Sequence, residues 1–135
     1  MGTYNTKIID NIIYSKISGE LDRTLVSGWV GTVEELESNS KITLHRLNDI
    51  RDVNVVNLNF DELWEVADHR SESYKSGDET LSAFWVSTAL NHDISRMYQT
   101  LLEGTVYKVD VFYQWDEIAD FLSLEKGFLE KITFS

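Results

Sequence analysis

Hydrophobic positions along the second half of the chain change period in a regular order. Thr80–Thr88 (TLSAFWVST) is a short, nearly continuous apolar run. Asn91–Gly104 (NHDISRMYQTLLEG) carries apolar residues at helical spacing, with Ile94, Met97, Tyr98 and Leu101 on one stripe. Val106–Tyr113 (VYKVDVFY) is rich in β-branched and aromatic residues, as strands are. Gln114–Leu124 (QWDEIADFLSL) returns to the helical period through Trp115, Ile118, Ala119 and Leu122. Two buried strands joined by one helix form a βαβ unit, the building block of parallel sheets covered by helices. Asn91 is the expected cap of the first of these helices, Gly104 its C′ residue, and Gly127 lies past the second.

The first half extends the alternation. Thr6–Ile17 holds two apolar runs broken by Asp10-Asn11, which predicts a hairpin or a bent strand. Val26, Trp29, Val30 and Val33 form a helical stripe, with Asp22 or Thr24 as its cap. Gly28 and Gly31 lie inside that helix and are expected to let it approach the sheet, with close backbone approach to a ligand or partner as the alternative. Lys41–Leu47 reads as a strand and Asn48–Asn57 as a polar loop. Asn59 and Glu62 make a variant capping box, and Leu58 and Leu63 occupy the staple positions around it. Phe60, Leu63, Trp64 and Ala67 are then the predicted core stripe of a helix running to about Ser71, followed by a polar loop to Glu79.

The expected fold is α/β, a single mixed and mainly parallel sheet with an N-terminal β-hairpin and about four helices. One domain over 1–127 is expected, with an apolar tail over 128–135. Phe128, Leu129, Ile132 and Phe134 make that tail unusually apolar for a free end. It is expected to dock as an edge strand through Lys131–Ser135. That strand adds to its own sheet or, as the favoured reading, to a second copy in a homodimer.

Composition narrows the function by exclusion. The chain has 135 residues, enough for one domain with a core. Its net charge of −11 repels phosphate backbones, so neither nucleic acid nor an anionic membrane is an expected partner. The charge reads as solubility or as an acidic face for a basic protein. No run of 18 apolar residues and no signal-peptide pattern at the N-terminus occur. With no Cys there is no thiol nucleophile, disulfide or thiolate metal site, and a cytoplasmic location fits.

Catalytic patterns are missing as well. There is no G-x-S-x-G, no P-loop and no G-x-G-x-x-G. His45, His69 and His92 lack metal-ligand spacing, and His45 and His69 read as surface residues, so no metal and no cofactor are expected. The four Trp and Met97 fall on core stripes or in a strand and read as packing, with an apolar ligand cavity as the alternative. In an open parallel sheet, ligands sit at the C-terminal strand ends. That marks Asn48–Asn59 and Thr88–Asp93, with Asp49, Arg51, Asp52, Asn59, Asp61, Thr88 and His92 as candidate ligand or partner contacts.

Leu47–Leu63 (LNDIRDVNVVNLNFDEL) entering a capped helix, with Ser95–Leu122 as a final αβα, resembles the small bacterial STAS or SpoIIAA-like domains. These are named for sulphate transporters and anti-sigma-factor antagonists, and the similarity spans roughly Lys7 to Leu122. It implies helices packed on a mixed sheet and a regulatory switch in place of catalysis. In the antagonists a phosphorylatable Ser starts the helix after the third strand. Here that helix begins Asn59-Phe60-Asp61, with no Ser or Thr between Leu44 and His69. Asp61 already supplies negative charge beside the helix N-terminus, which reads as a locked state or as an ordinary helix start. Related sheets also occur in lipid-carrying domains. The expected role is therefore a non-enzymatic module that binds a protein partner, with a small apolar ligand or lipid as the alternative.

Overall fold

Two antiparallel strands begin the chain, β1 (Thr3–Ile9) and β2 (Ile12–Asp22), with Ile9 opposite Ile12. The computed structural model describes residues 2–73 and 79–133. The turn between the strands is Asp10-Asn11, and Asp10 takes φ 57°, a region that a short polar side chain tolerates. Beyond the hairpin, β2 pairs in parallel with β3 (His45–Asn57), β3 with β4 (Thr80–Trp85), and β4 with β5 (Tyr107–Phe112). The sheet order is β1-β2-β3-β4-β5.

Helices α1 (Arg23–Ser38), α2 (Phe60–Ser73) and α3 (Ala89–Leu101) are the crossovers between the parallel strands. Each steps to the next strand in the same direction. Crossovers of one hand therefore lay all three on one face. There Leu25, Val26, Val66, Ala67 and Leu102 pack with Ile17, Ile50, Phe84 and Val109 of the sheet. Helices α4 (Trp115–Leu122) and α5 (Phe128–Thr133) cover the other face, where Ile118, Leu122 and Phe128 meet Ile12, Leu47, Ala83 and Trp85.

Local signals account for most of the element starts. Asp22 caps α1, accepting from the Leu25 amide at 2.8 Å. Asn59 and Glu62 cap α2 reciprocally: Asn59 Oδ1 accepts from the Glu62 amide at 2.8 Å and Glu62 Oε1 from the Asn59 amide at 3.0 Å. In α3 the cap is Thr88, three residues before the expected Asn91, which instead sits at N3 and returns the bond. Gly104 has φ 82° and lies two residues beyond Leu102, which ends the helix.

The two glycines of α1 differ. A Cβ on Gly28 would meet Tyr4 Oη at 3.2 Å, so α1 does approach the hairpin there. A Cβ on Gly31 would meet no described atom within 4 Å. Gly31→Ala is therefore expected to stabilise the protein by about 0.5–1 kcal/mol, since only helix propensity changes. Urea denaturation checks this, and a loss of stability would place something above that position.

Three sequence expectations change. First, 48–57 is not a loop: β3 runs through it for 13 residues, while Ile42 is exposed ahead of the strand. Between Lys16/Asp49 and Ser18/Asp52, and again between Gly19/Val53 and Glu20/Val55, β3 carries one more residue than β2. Each bulge shifts the alternation by one, so no period of two survives in the sequence. Second, the buried stripe of α2 is Leu63, Val66, Ala67 and Arg70, and both Phe60 and Trp64 are exposed. Third, 128–133 is a helix, not a strand. Phe128 is 1% exposed and stacks on Trp115 with ring centroids 6.3 Å apart. Ile132 packs beside it, and Lys131 Nζ reaches Asp10 Oδ2 at 2.8 Å. Phe134 lies outside the described residues.

Candidate functional site

The expected site residues fall in two places along β3, the first bulge with the start of α3 beside it and the start of α2. Asp49, Arg51 and Asp52 come together at the first β3 bulge, on the face covered by α4 and α5. Asp49 is fully buried. Its carboxylate accepts from Arg51 Nε at 3.0 Å, Arg51 Nη2 at 3.0 Å, Tyr14 Oη at 3.0 Å and Lys16 Nζ at 3.4 Å. Lys16 also pairs with Asp52 at 2.9 Å, and the Arg51 guanidinium lies 3.5 Å over the Trp85 ring.

Burial alone would raise the Asp49 pKa. The Arg51 hydrogen bonds, with the charges of Arg51 and Lys16, outweigh it and hold the group below the usual carboxylate range. Burial and the neighbouring Asp49 push the Tyr14 phenol up. A saturated carboxylate held ionised is a poor general base, so this cluster serves as a strut. Its sign follows from linkage: the contribution is full above the unfolded pKa near ~3.9 and fades as pH falls through the lower folded value. Asp49→Asn is expected to lower the melting temperature at pH 7 and to do so progressively less toward pH 3. A variant penalty independent of pH would contradict the charge-based account.

Asn91, the cap expected from the sequence, sits at N3 and ties α3 to β3. Fully buried, it accepts from the Ser87 and Thr88 amides at 3.0 and 3.1 Å. Its Nδ2 donates to Ile50 O at 3.1 Å and Val53 O at 3.4 Å, so α3 closes the bulge of β3. Such a role has no local sequence signature, because its partners lie 38 to 41 residues away. His92 stacks on Tyr113 at 5.3 Å, and Thr88 is occupied in capping. Asn59 and Asp61 sit elsewhere: eight residues of strand, roughly 26 Å, separate Asp49 from Asn57. Asn59 and Asp61 thus lie apart from the other candidates, whereas Thr88 adjoins the bulge, its neighbour Ser87 donating to Arg51 O at 2.7 Å. His45 is half-buried and accepts from the Leu81 amide at 3.0 Å, and burial lowers its pKa. Among the described residues no three His, Asp or Glu side chains converge to hold a metal ion.

Under α1, α2 and α3 lies a cavity of about 80 Å³, walled by Leu21, Val26, Leu58, Leu63, Phe84 and Ile94 among others. Ligand pockets for drug-sized molecules begin near ~300 Å³. Trp64, Trp85 and Met97 are not among its described lining residues. Its floor holds Arg46 and Arg70, both buried. Glu37 pairs with Arg46 and with Arg70, the latter at 3.0 Å, and Arg70 Nη2 donates to Tyr107 Oη at 2.6 Å. The two guanidiniums lie 4.8 and 5.3 Å from the centroid of the Tyr107 ring. This network bolts α1 and α2 to the sheet.

The outer side of α2 and α3 carries three residues that the sequence assigns to the core, Phe60, Trp64 and Met97, together with Leu90. Phe60 is 57% exposed, Trp64 49%, Leu90 44% and Met97 43%. At 100° per residue, Phe60 and Trp64 share the flank of α2 opposite Glu62 and His69. That opposite flank faces α1, since Arg23 bonds the Glu62 carbonyl and His69 bonds Glu34. On α3, Gln99 bonds Val109 O of β5. Leu90 and Met97 lie on the flank away from Gln99, toward α2. The four side chains therefore border one groove between two adjacent helices. Exposed Asp61 and Asp68 on α2 and Asp93 on α3 surround it, while Glu65 turns to the α1 side and pairs with Arg23 at 3.4 Å.

No protein-family model matches the chain, and no curated protein matches it. Among solved structures, the chain is similar to an uncharacterized protein of the DUF3478 family from Shewanella loihica, described as having a SpoIIAA-like fold. The two share 14% identity with a TM-score of 0.58, over 90% of this chain and 93% of that one. The chain thus has the SpoIIAA-like fold. No helix among the described residues is long and apolar enough to cross a membrane.

Proposed function

We propose that this chain is a non-enzymatic, regulatory protein-binding module, and that α2 and α3 present its recognition surface. The observation that carries the reading is the placement of Phe60, Trp64, Leu90 and Met97 in solvent along one inter-helix groove. Scattered apolar residues on a surface need no explanation, but contiguous ones mark interaction sites. The saturated Asp49 cluster offers no reactive group, and the internal cavity favours no sizeable apolar ligand. A cytoplasmic location, absence of nucleic acid and a role like that of the anti-sigma antagonists belong to the same proposal. The phosphoryl switch of the antagonists is left out, because Asn59-Phe60-Asp61 opens α2.

Native mass spectrometry of protein purified from its own host tests this. A protein subunit at fixed stoichiometry, lost in a Phe60→Ser/Trp64→Ser variant, is expected. A retained small molecule of several hundred daltons, unaffected by those substitutions, would overturn the proposal.

A further inference from the structure

We infer that the occupant of the α2–α3 groove is a basic amphipathic helix of a partner protein. The inference rests on reading this face as a protein-recognition surface and goes on to name what it recognises. Phe60 and Trp64 are spaced by four residues, about 6 Å along α2. Leu90 and Met97 are spaced by seven, about 10.5 Å along α3. An amphipathic helix in a groove presents apolar anchors at i, i+3 or i+4, and i+7, a span of the same 10.5 Å.

Charge decides between occupants. The exposed rim is acidic, from Asp61, Asp68 and Asp93. Arg70 is turned into the core with Glu37 and Glu34. Arg96 is turned toward β5, 2.7 Å from Gln99 Oε1 and 4.0 Å from Asp110. The cationic groups of α2 and α3 thus add little to the groove. A second copy meeting this face about a two-fold axis would set the same carboxylates against each other, in a chain already at −11. An anionic bilayer is repelled for the same reason. A helix with Leu-type anchors and Lys or Arg on its flanks satisfies both the apolar floor and the acidic rim.

Fluorescence anisotropy at about 150 mM salt, where only short-range charge contacts persist, tests the inference. The probe is an 18-residue Leu/Lys peptide with Leu at helical spacing. A scrambled peptide of the same composition and a Leu/Glu counterpart serve as controls. Binding is expected for the Leu/Lys helix, at least tenfold weaker for the scramble and undetectable for the Leu/Glu peptide. Phe60→Ser/Trp64→Ser should weaken the Leu/Lys peptide at least tenfold. Asp68→Lys/Asp93→Lys should weaken it likewise and admit the Leu/Glu peptide. Equal affinity for helix and scramble, or unchanged affinity in both variants, overturns the inference. If the host partner still depends on Phe60 and Trp64 while the Leu/Lys peptide fails to bind, only the partner chemistry is wrong. If the host complex survives their loss, the surface itself is wrong.

Discussion

Phe128→Ala is expected to cost about 3–5 kcal/mol, the usual range for emptying a buried aromatic site. Phe128 is the last fully buried side chain described in the core under α4, stacked on Trp115 and packed near Ile118 and Leu122. For a domain of this size the loss lowers the melting temperature by about 10 °C or more. Truncation after Lys126 should do at least as much damage. Both are expected to act on the folding of one chain, with an unfolding midpoint that does not move with protein concentration. A tail that joins two copies predicts a concentration-dependent midpoint and a change of mass in light scattering. A Phe128→Ala protein as stable as wild type would detach α5 from the core altogether.

Glu37→Gln is the second substitution with a large expected effect. Glu37 is the anion between Arg46 and Arg70, with all three side chains less than a tenth exposed. Removing one partner of a buried ionic network leaves uncompensated charge, at a cost of about 3–5 kcal/mol. Replacing all three together by apolar residues of similar size (Glu37→Leu, Arg46→Met, Arg70→Met) is expected to recover most of that loss. Chemical denaturation of the single and triple variants reads both. A triple variant worse than Glu37→Gln would mean the network stabilises the fold beyond mere compensation of its own charges.

That network also explains which parts of the fold were legible in the sequence. The helix caps at Asp22 and Asn59 were legible because cap and amide lie three residues apart. The strand β4 is legible because it is buried on both faces, and β5 because its β-branched and aromatic residues Tyr107, Val109 and Val111 fill one buried face. The buried face of α2 differs from the expected one because Arg70 occupies an inward position that an apolar residue would ordinarily hold. With Arg70 counted as polar, the pattern rotates toward Phe60 and Trp64. Arg70 is acceptable inside only because Glu37 and Tyr107 arrive from α1 and β5, more than 30 residues away. Similarly, the 48–57 part of β3 reads as a loop because Asn48 and Asp49 are buried polar residues with distant partners in Ser82, Ala83 and Tyr14.

The candidate site was legible to the same limited degree. The rule that ligands gather at C-terminal strand ends selected Asp49, Arg51 and Thr88, and these have structural duties at the β3 bulge and the α3 cap. Asn59 and Asp61 mark the start of α2, and the proposed surface begins between them at Phe60 and continues one turn later at Trp64. The exposed residues Phe60, Trp64 and Met97 were hidden by their own hydrophobicity, since burial is the default expectation for such side chains.

Hydrogen exchange of the protein, alone and with the partner recovered from its host, tests the central claim most directly. The account predicts new protection in α2 and α3, centred on the turns carrying Phe60, Trp64, Leu90 and Met97. It predicts no change at α4 and α5 or around Asp49 and Arg51. Protection confined to the Asp49–Arg51 bulge or to α4 and α5, with α2 and α3 exchanging as in the free protein, would contradict it.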